Sequence, residues 1–135
     1  MGGFSINISG LQFNPARGFM KGFMDMVFCF AGRHYLVDWK SNFLGGRAAD
    51  YGQASLARAM AENFYILQYH IYVLALHQYL ALRLPRYRYE EHMGGVYYIF
   101  LRGIDPALGP EYGIYRARPD EGLIAAMAEK LIAAN

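Results

Sequence analysis

Gly22-Phe23-Met24-Asp25-Met26-Val27-Phe28-Cys29-Phe30-Ala31-Gly32-Arg33-His34-Tyr35-Leu36-Val37-Asp38-Trp39-Lys40 reads as two strands joined by a tight turn. The runs Gly22 to Phe30 and Arg33 to Lys40 are rich in aromatic and aliphatic side chains, and Ala31-Gly32 between them is the kind of two-residue connection that a hairpin uses. With the turn centred there, Asp25 faces Asp38 across the hairpin. Directly paired side chains share a face of a sheet, as do residues two apart on one strand, so Asp25, Asp38 and Lys40 are expected to point the same way. Two carboxylates and an ammonium then form one cluster.

Like charges facing each other on a sheet are unfavourable, and a divalent cation is one remedy. Magnesium prefers carboxylate oxygens, keeps several waters, and is commonly held by one or two protein carboxylates plus substrate phosphate. Bound between Asp25 and Asp38 it would polarise a phosphoryl oxygen and acidify a bound water, with Lys40 orienting that water or steadying developing charge. That is the chemistry of phosphodiester hydrolysis. The plainer reading of Asp38-x-Lys40 is a solvated ion pair on a strand. Against it stand the neighbours: Phe23, Met24, Met26, Val27 and Phe28 flank Asp25, and Tyr35, Leu36 and Val37 lead into Asp38, so both carboxylates sit where unpaired charge is costly.

The segments Gly18-Phe19-Met20-Lys21-Gly22-Phe23-Met24-Asp25-Met26-Val27-Phe28 and Tyr35-Leu36-Val37-Asp38-Trp39-Lys40-Ser41-Asn42 together resemble the C-terminal nuclease domain of the RecB type, from the bacterial RecBCD helicase-nuclease (exodeoxyribonuclease V). Leu67-Gln68-Tyr69-His70-Ile71-Tyr72 is similar to that family's Gln-x-x-x-Tyr helix, and Gly94-Gly95-Val96-Tyr97-Tyr98-Ile99-Phe100-Leu101-Arg102-Gly103 to the strand after it. The likeness runs from about Arg17 to the tail, leaving residues 1–16 as a divergent start of a single 135-residue domain.

The resemblance implies an α/β fold of the restriction-endonuclease-like type (PD-(D/E)-x-K superfamily), a mixed sheet with flanking helices. It implies Asp25 and Asp38 as metal-binding aspartates for Mg2+ or Mn2+, a main-chain contact from Val37 or Trp39, and Lys40 as the catalytic lysine. Gln68 and Tyr72, four apart on one helix face, would support the lysine or the DNA backbone; read from the residues alone, Tyr72 belongs to an apolar stripe and Gln68 satisfies backbone. The implied partners are DNA, single-stranded or unwound, and helicase-complex subunits of the RecC and RecD type. RecB-type nucleases also use a histidine and a glutamate upstream of the first aspartate, whereas no Asp, Glu or His precedes Asp25 here. Two readings follow: a metal held by two carboxylates and water, or a non-catalytic remnant or interaction module of the same fold.

Composition is permissive. Hydrophobic residues make up 55% of the chain and aromatics 16%, which suits a dense core or a surface that expects a neighbour. A net charge of +2 confines any basic contact to a local patch. Cys29 is the one cysteine, so neither an intrachain disulfide nor a thiolate zinc cluster is expected. Met1-Gly2-Gly3-Phe4 lacks the features of a secretory signal, and the cytoplasm is the expected compartment.

Along the rest of the chain, Phe4, Ile6 and Ile8 alternate with polar residues as in a half-buried strand. Ser41 to Asp50 reads as a loop, with Asp50 capping a helix from Tyr51 to Glu62. A longer helix is expected from Phe64 to Leu84, stopped by Pro85, with His70 and His77 as surface or packing residues. Arg83-Leu84-Pro85-Arg86-Tyr87-Arg88-Tyr89 alternates cations with rings, which suits either a single-stranded nucleic-acid path or a solvated loop offset by Glu90 and Glu91. Val96 to Leu101 looks like a central strand buried on both faces. Gly103 to Gly113 is a loop, Ile114 to Arg118 a short strand, and Pro119 to Ala134 a closing helix with Leu123, Ile124, Met127 and Leu131 toward the core. No phosphate-cradling Gly-x-x-x-x-Gly-Lys loop is present, so a nucleotide-driven motor is not expected in this chain.

Overall fold

The computed structural model describes residues 26–132. Strand β1 (Met26–Phe30) turns through Ala31 and Gly32 into β2 (Arg33–Lys40). Both turn residues have positive φ, 52° and 79°, the geometry whose twist matches that of a two-stranded ribbon. The register is the one expected, with Met26 against Val37, Val27 against Leu36 and Phe30 against Arg33. The next pair along, Asp25 with Asp38, lies outside the described residues on the Asp25 side, as does the proposed strand at Phe4 to Ile8.

After β2 come a 3-10 turn (Ala48–Tyr51), helix α1 (Gln53–Glu62), the long helix α2 (Tyr65–Arg83) and the short α3 (Tyr89–His92). Strand β3 (Met93–Phe100) then lies parallel to β2, β4 (Ile114–Ala117) runs antiparallel to β3, and α4 (Glu121–Ile132) closes the described chain. The result is a mixed sheet of order β1-β2-β3-β4 with helices packed on it. This is an α/β fold of the restriction-endonuclease-like kind. The crossover between the parallel strands is what brings α1 and α2 onto the sheet.

Face parity explains the core. Val27, Leu36, Val96, Tyr98 and Phe100 share one face by strand alternation and pairing, and all join the buried cluster with Tyr69, Tyr72, Val73 and Leu76 of α2. Ile124 anchors α4 to the same cluster. Burying a side chain of this size contributes about 1.5–3 kcal/mol, so the α2 contact carries much of the fold. The opposite face bears Phe28 stacked on Tyr35 at 5.0 Å, Tyr97 5.8 Å beyond, and Arg116 over Tyr97. An open cleft of about 470 Å³ lies there, lined in part by Arg33, Arg116 and Arg118.

Several expectations need correction. Val96 to Leu101 is not buried on both faces: Tyr97 and Ile99 are half-buried, and Leu101 is exposed in a 3-10 turn (Leu101–Gly103). An uninterrupted apolar run therefore hid an ordinary alternation. Asp50 does not cap α1, whose N-cap is Gly52; its carboxylate instead accepts from the Arg47 backbone N–H at 2.9 Å and pairs with the Arg47 guanidinium. Leu123 lies on the exposed side of α4, because Ile124, Met127 and Ala128 take the core positions.

Candidate active site

Asp38 and Lys40 are two apart on β2 and so emerge on the helix-covered face of the sheet. Asp38 is only 4% exposed, and its Oδ1 lies 3.4 Å from Lys40 Nζ. A pair this deep has lost most of its hydration, so each charge depends on the other and on its surroundings. Val37 is buried too, but its side chain belongs to the opposite face.

Across the parallel β2–β3 pair Asp38 stands beside Tyr98. Burial, and then the Asp38 carboxylate, hold the Tyr98 phenol far above its ordinary ionisation range, so it stays a hydroxyl donor. It donates to Gln68 Oε1 at 2.6 Å. The parallel register of β3 against β2 and the seating of α2 on the sheet thus meet at one hydrogen bond. Tyr72, one turn further along α2, is 1% exposed within the core, and its phenol lies near enough to Tyr98 to push that group's pKa further up.

Lys40 has aromatic neighbours. Its Nζ lies 4.1 Å from the centre of the Tyr65 ring and 5.4 Å from that of Tyr98. Tyr65 opens α2, directly after Phe64, whose φ of 59° sets the entry of the helix. The Tyr65 hydroxyl donates to Asn42 Oδ1 at 3.1 Å. The chain leaving β2 is held in turn by Arg102, whose Nε donates to the Ser41 carbonyl at 2.8 Å. Tyr65, Asn42 and Tyr98 were not among the expected site residues, although Asn42 and Tyr98 lie in the segments that carry the resemblance. Tyr65 is three residues before Gln68, and that i, i+3 spacing was the available signal.

The two helix histidines and the Arg83 to Tyr89 segment make contacts of their own. His70 points Nδ1 at the Ile66 carbonyl of its own helix, 2.7 Å away, and stacks on Tyr69. His77 meets the Tyr87 hydroxyl at 2.7 Å, and burial lowers its pKa. Both are packing residues. In the Arg83 to Tyr89 segment the rings turn inward: Tyr87 packs on His77 and His92, and Tyr89, 1% exposed, donates to the Pro119 carbonyl at 2.5 Å. That burial excludes base stacking on Tyr89; the sequence pattern specified residue types but not which way the rings face. Arg83 lies over Tyr79, and Arg88 pairs with Glu91.

Asp38 offers the hard oxygen donors that magnesium or manganese takes. Among the described residues no group of three or more His, Cys, Asp or Glu gathers as a ready-made metal site, and Asp25 lies outside them. None of the described helices is long and apolar enough to cross a membrane.

No family model matches the chain. Among curated proteins it is 52% identical over 119 residues to RecBCD enzyme subunit RecB of Escherichia coli (strain K12), a match covering 88% of this chain and 10% of that subunit. The RecB subunit of Haemophilus influenzae is 46% identical over 114 residues (84% of this chain, 9% of the subunit), and that of Mycobacterium tuberculosis 39% over 129 residues (91% and 12%). The chain spans about a tenth of the length of these relatives, and through that stretch it belongs to the RecB family.

Proposed function

We propose that the chain is the nuclease module of a RecB-type DNA repair and recombination enzyme, hydrolysing phosphodiester bonds of single-stranded or unwound DNA with Mg2+ or Mn2+. The observation that carries this reading is the Asp38–Lys40 pair, 3.4 Å apart and largely buried on the helix-covered face of the sheet. The β1–β2 register, with Met26 against Val37, is the one that a facing pair of carboxylates, Asp25 and Asp38, would require. RecC- and RecD-type subunits are the partners this reading implies.

In the proposed mechanism Asp25 and Asp38, with the Val37 or Trp39 main chain, would hold the cation through oxygen. The metal, when bound, supplies Lewis acidity at the scissile phosphate and a water of lowered pKa. Lys40 places positive charge where negative charge grows on the phosphoryl oxygens, and the low-dielectric surroundings strengthen that interaction. Asp38 holds the lysine in place as well as offering oxygen to the metal. Gln68, its Oε1 already engaged by Tyr98, presents amide N–H groups as donors for a phosphate oxygen. Tyr72 supports Tyr98 from within the core.

Purified protein, supplied with magnesium and a labelled single-stranded oligonucleotide, tests the proposal. Cleavage is expected, and Lys40→Ala should reduce it by at least about a hundredfold, the scale of removing one group that stabilises developing charge. Full activity in Lys40→Ala would remove that residue from the chemistry.

A further inference from the structure

A lysine side chain has four carbons of flexible stem, so a single contact with Asp38 does not fix where its ammonium sits. Tyr65 supplies a second constraint. Its ring centre is 4.1 Å from Lys40 Nζ, within the range where a cation is attracted to an aromatic face. The ring is itself held from three sides: Tyr98 at 5.7 Å, Phe100 at 6.4 Å, and Asn42, which accepts from its hydroxyl at 3.1 Å. Asn42 lies two residues beyond Lys40, so the hydroxyl ties the start of α2 to the chain leaving β2. The arrangement makes the place of the ring independent of the lysine it faces.

We propose that Tyr65 is a positioning residue for Lys40, holding the ammonium beside Asp38 through its ring face, which packing on Tyr98 and Phe100 keeps in place. The kinetic consequence rests on the nuclease reading above; the positioning itself does not. A ring at this distance shifts the proton resonances of the lysine ε-methylene, and the chain contains three lysines, Lys21, Lys40 and Lys130, so the signals are easily assigned.

The test is NMR of lysine-labelled protein, with and without the Tyr65 ring. In the parent chain and in Tyr65→Phe the Lys40 ε-methylene is expected upfield of that of the exposed Lys130; in Tyr65→Leu it should move toward it, keeping only the smaller shift from the Tyr98 ring. Tyr65→Met, which keeps bulk without a ring, replaces leucine if that variant does not fold, as judged by circular dichroism. An unchanged Lys40 resonance in a folded ringless variant overturns the proposal. In the cleavage assay the ringless variant should lose about tenfold in kcat with KM nearly constant, and phenylalanine should restore it. Failure of the parent chain to cleave DNA counts against the nuclease reading alone, because the resonance still reports where the ammonium sits.

Discussion

Tyr98 lies beside Asp38 on the neighbouring strand and donates its hydroxyl to Gln68 on the helix above, so one phenol joins the carboxylate strand to α2. Its depth makes that bond energetically exposed to mutation: removal of one partner leaves the other polar group short of a partner in a dry place.

Tyr98→Phe is therefore expected to cost about 1–2 kcal/mol in urea unfolding. Gln68→Leu should cost a similar amount, and the double variant less than the two single costs together, with a coupling of about 0.5–1 kcal/mol. Additive costs would show that the 2.6 Å contact contributes nothing to holding α2 on the sheet.

A second prediction concerns the start of β3, where the pairing with β2 shifts between His34 and Tyr35. Gly95 has a φ of 114°, and a Cβ there would sit 2.5 Å from the Ala117 carbonyl oxygen of β4. Backbone cannot yield as a side-chain tip can. Gly95→Ala should destabilise by about 2 kcal/mol or more, whereas Gly46→Ala, with nothing within 4 Å, should stay within about 0.5 kcal/mol. Thermal unfolding of the two variants makes the comparison.

Stability should also fall at high pH. Burial raises the Tyr69 and Tyr89 phenols to about 12 from 10.0. A raised pKa means that the folded form holds its proton more tightly than the unfolded one, so stability is fully present below pH 10 and declines as pH rises toward about 12. At the acid end the sign reverses for His34 and His77, whose pKa values burial depresses below 6.5. Their contribution is present above pH 6.5 and is lost as pH falls through their folded values. Urea midpoints measured across the pH range test both limbs; in His77→Gln the acid limb should be shallower.

The hairpin was legible because its turn needs a specific residue type and its register then follows from counting: a turn at Ala31-Gly32 puts Met26 opposite Val37. The same parity rule placed Asp38 and Lys40 together. What escaped was information that depends on how separate elements meet. Tyr65 and Tyr98 are thirty-three positions apart, and only the crossover through α2 brings their rings within 5.7 Å. Tyr89 looked like a stacking platform because alternation of arginine and tyrosine specifies residue types without direction; the Pro119 carbonyl supplied the partner that turned it inward. The short α3 went unseen for a related reason, since Glu90 and Glu91 read as loop charges.

In the proposed site Asp25 and Asp38 hold one divalent cation beside Lys40. Calorimetric titration of the protein with magnesium tests it most directly, on the parent chain, Asp25→Asn and Asp38→Asn. One saturable site in the millimolar range is predicted, weakened at least about tenfold in either variant. Absence of saturable binding in the parent, or binding unchanged in both variants, would contradict the claim and favour a non-catalytic module of the same fold.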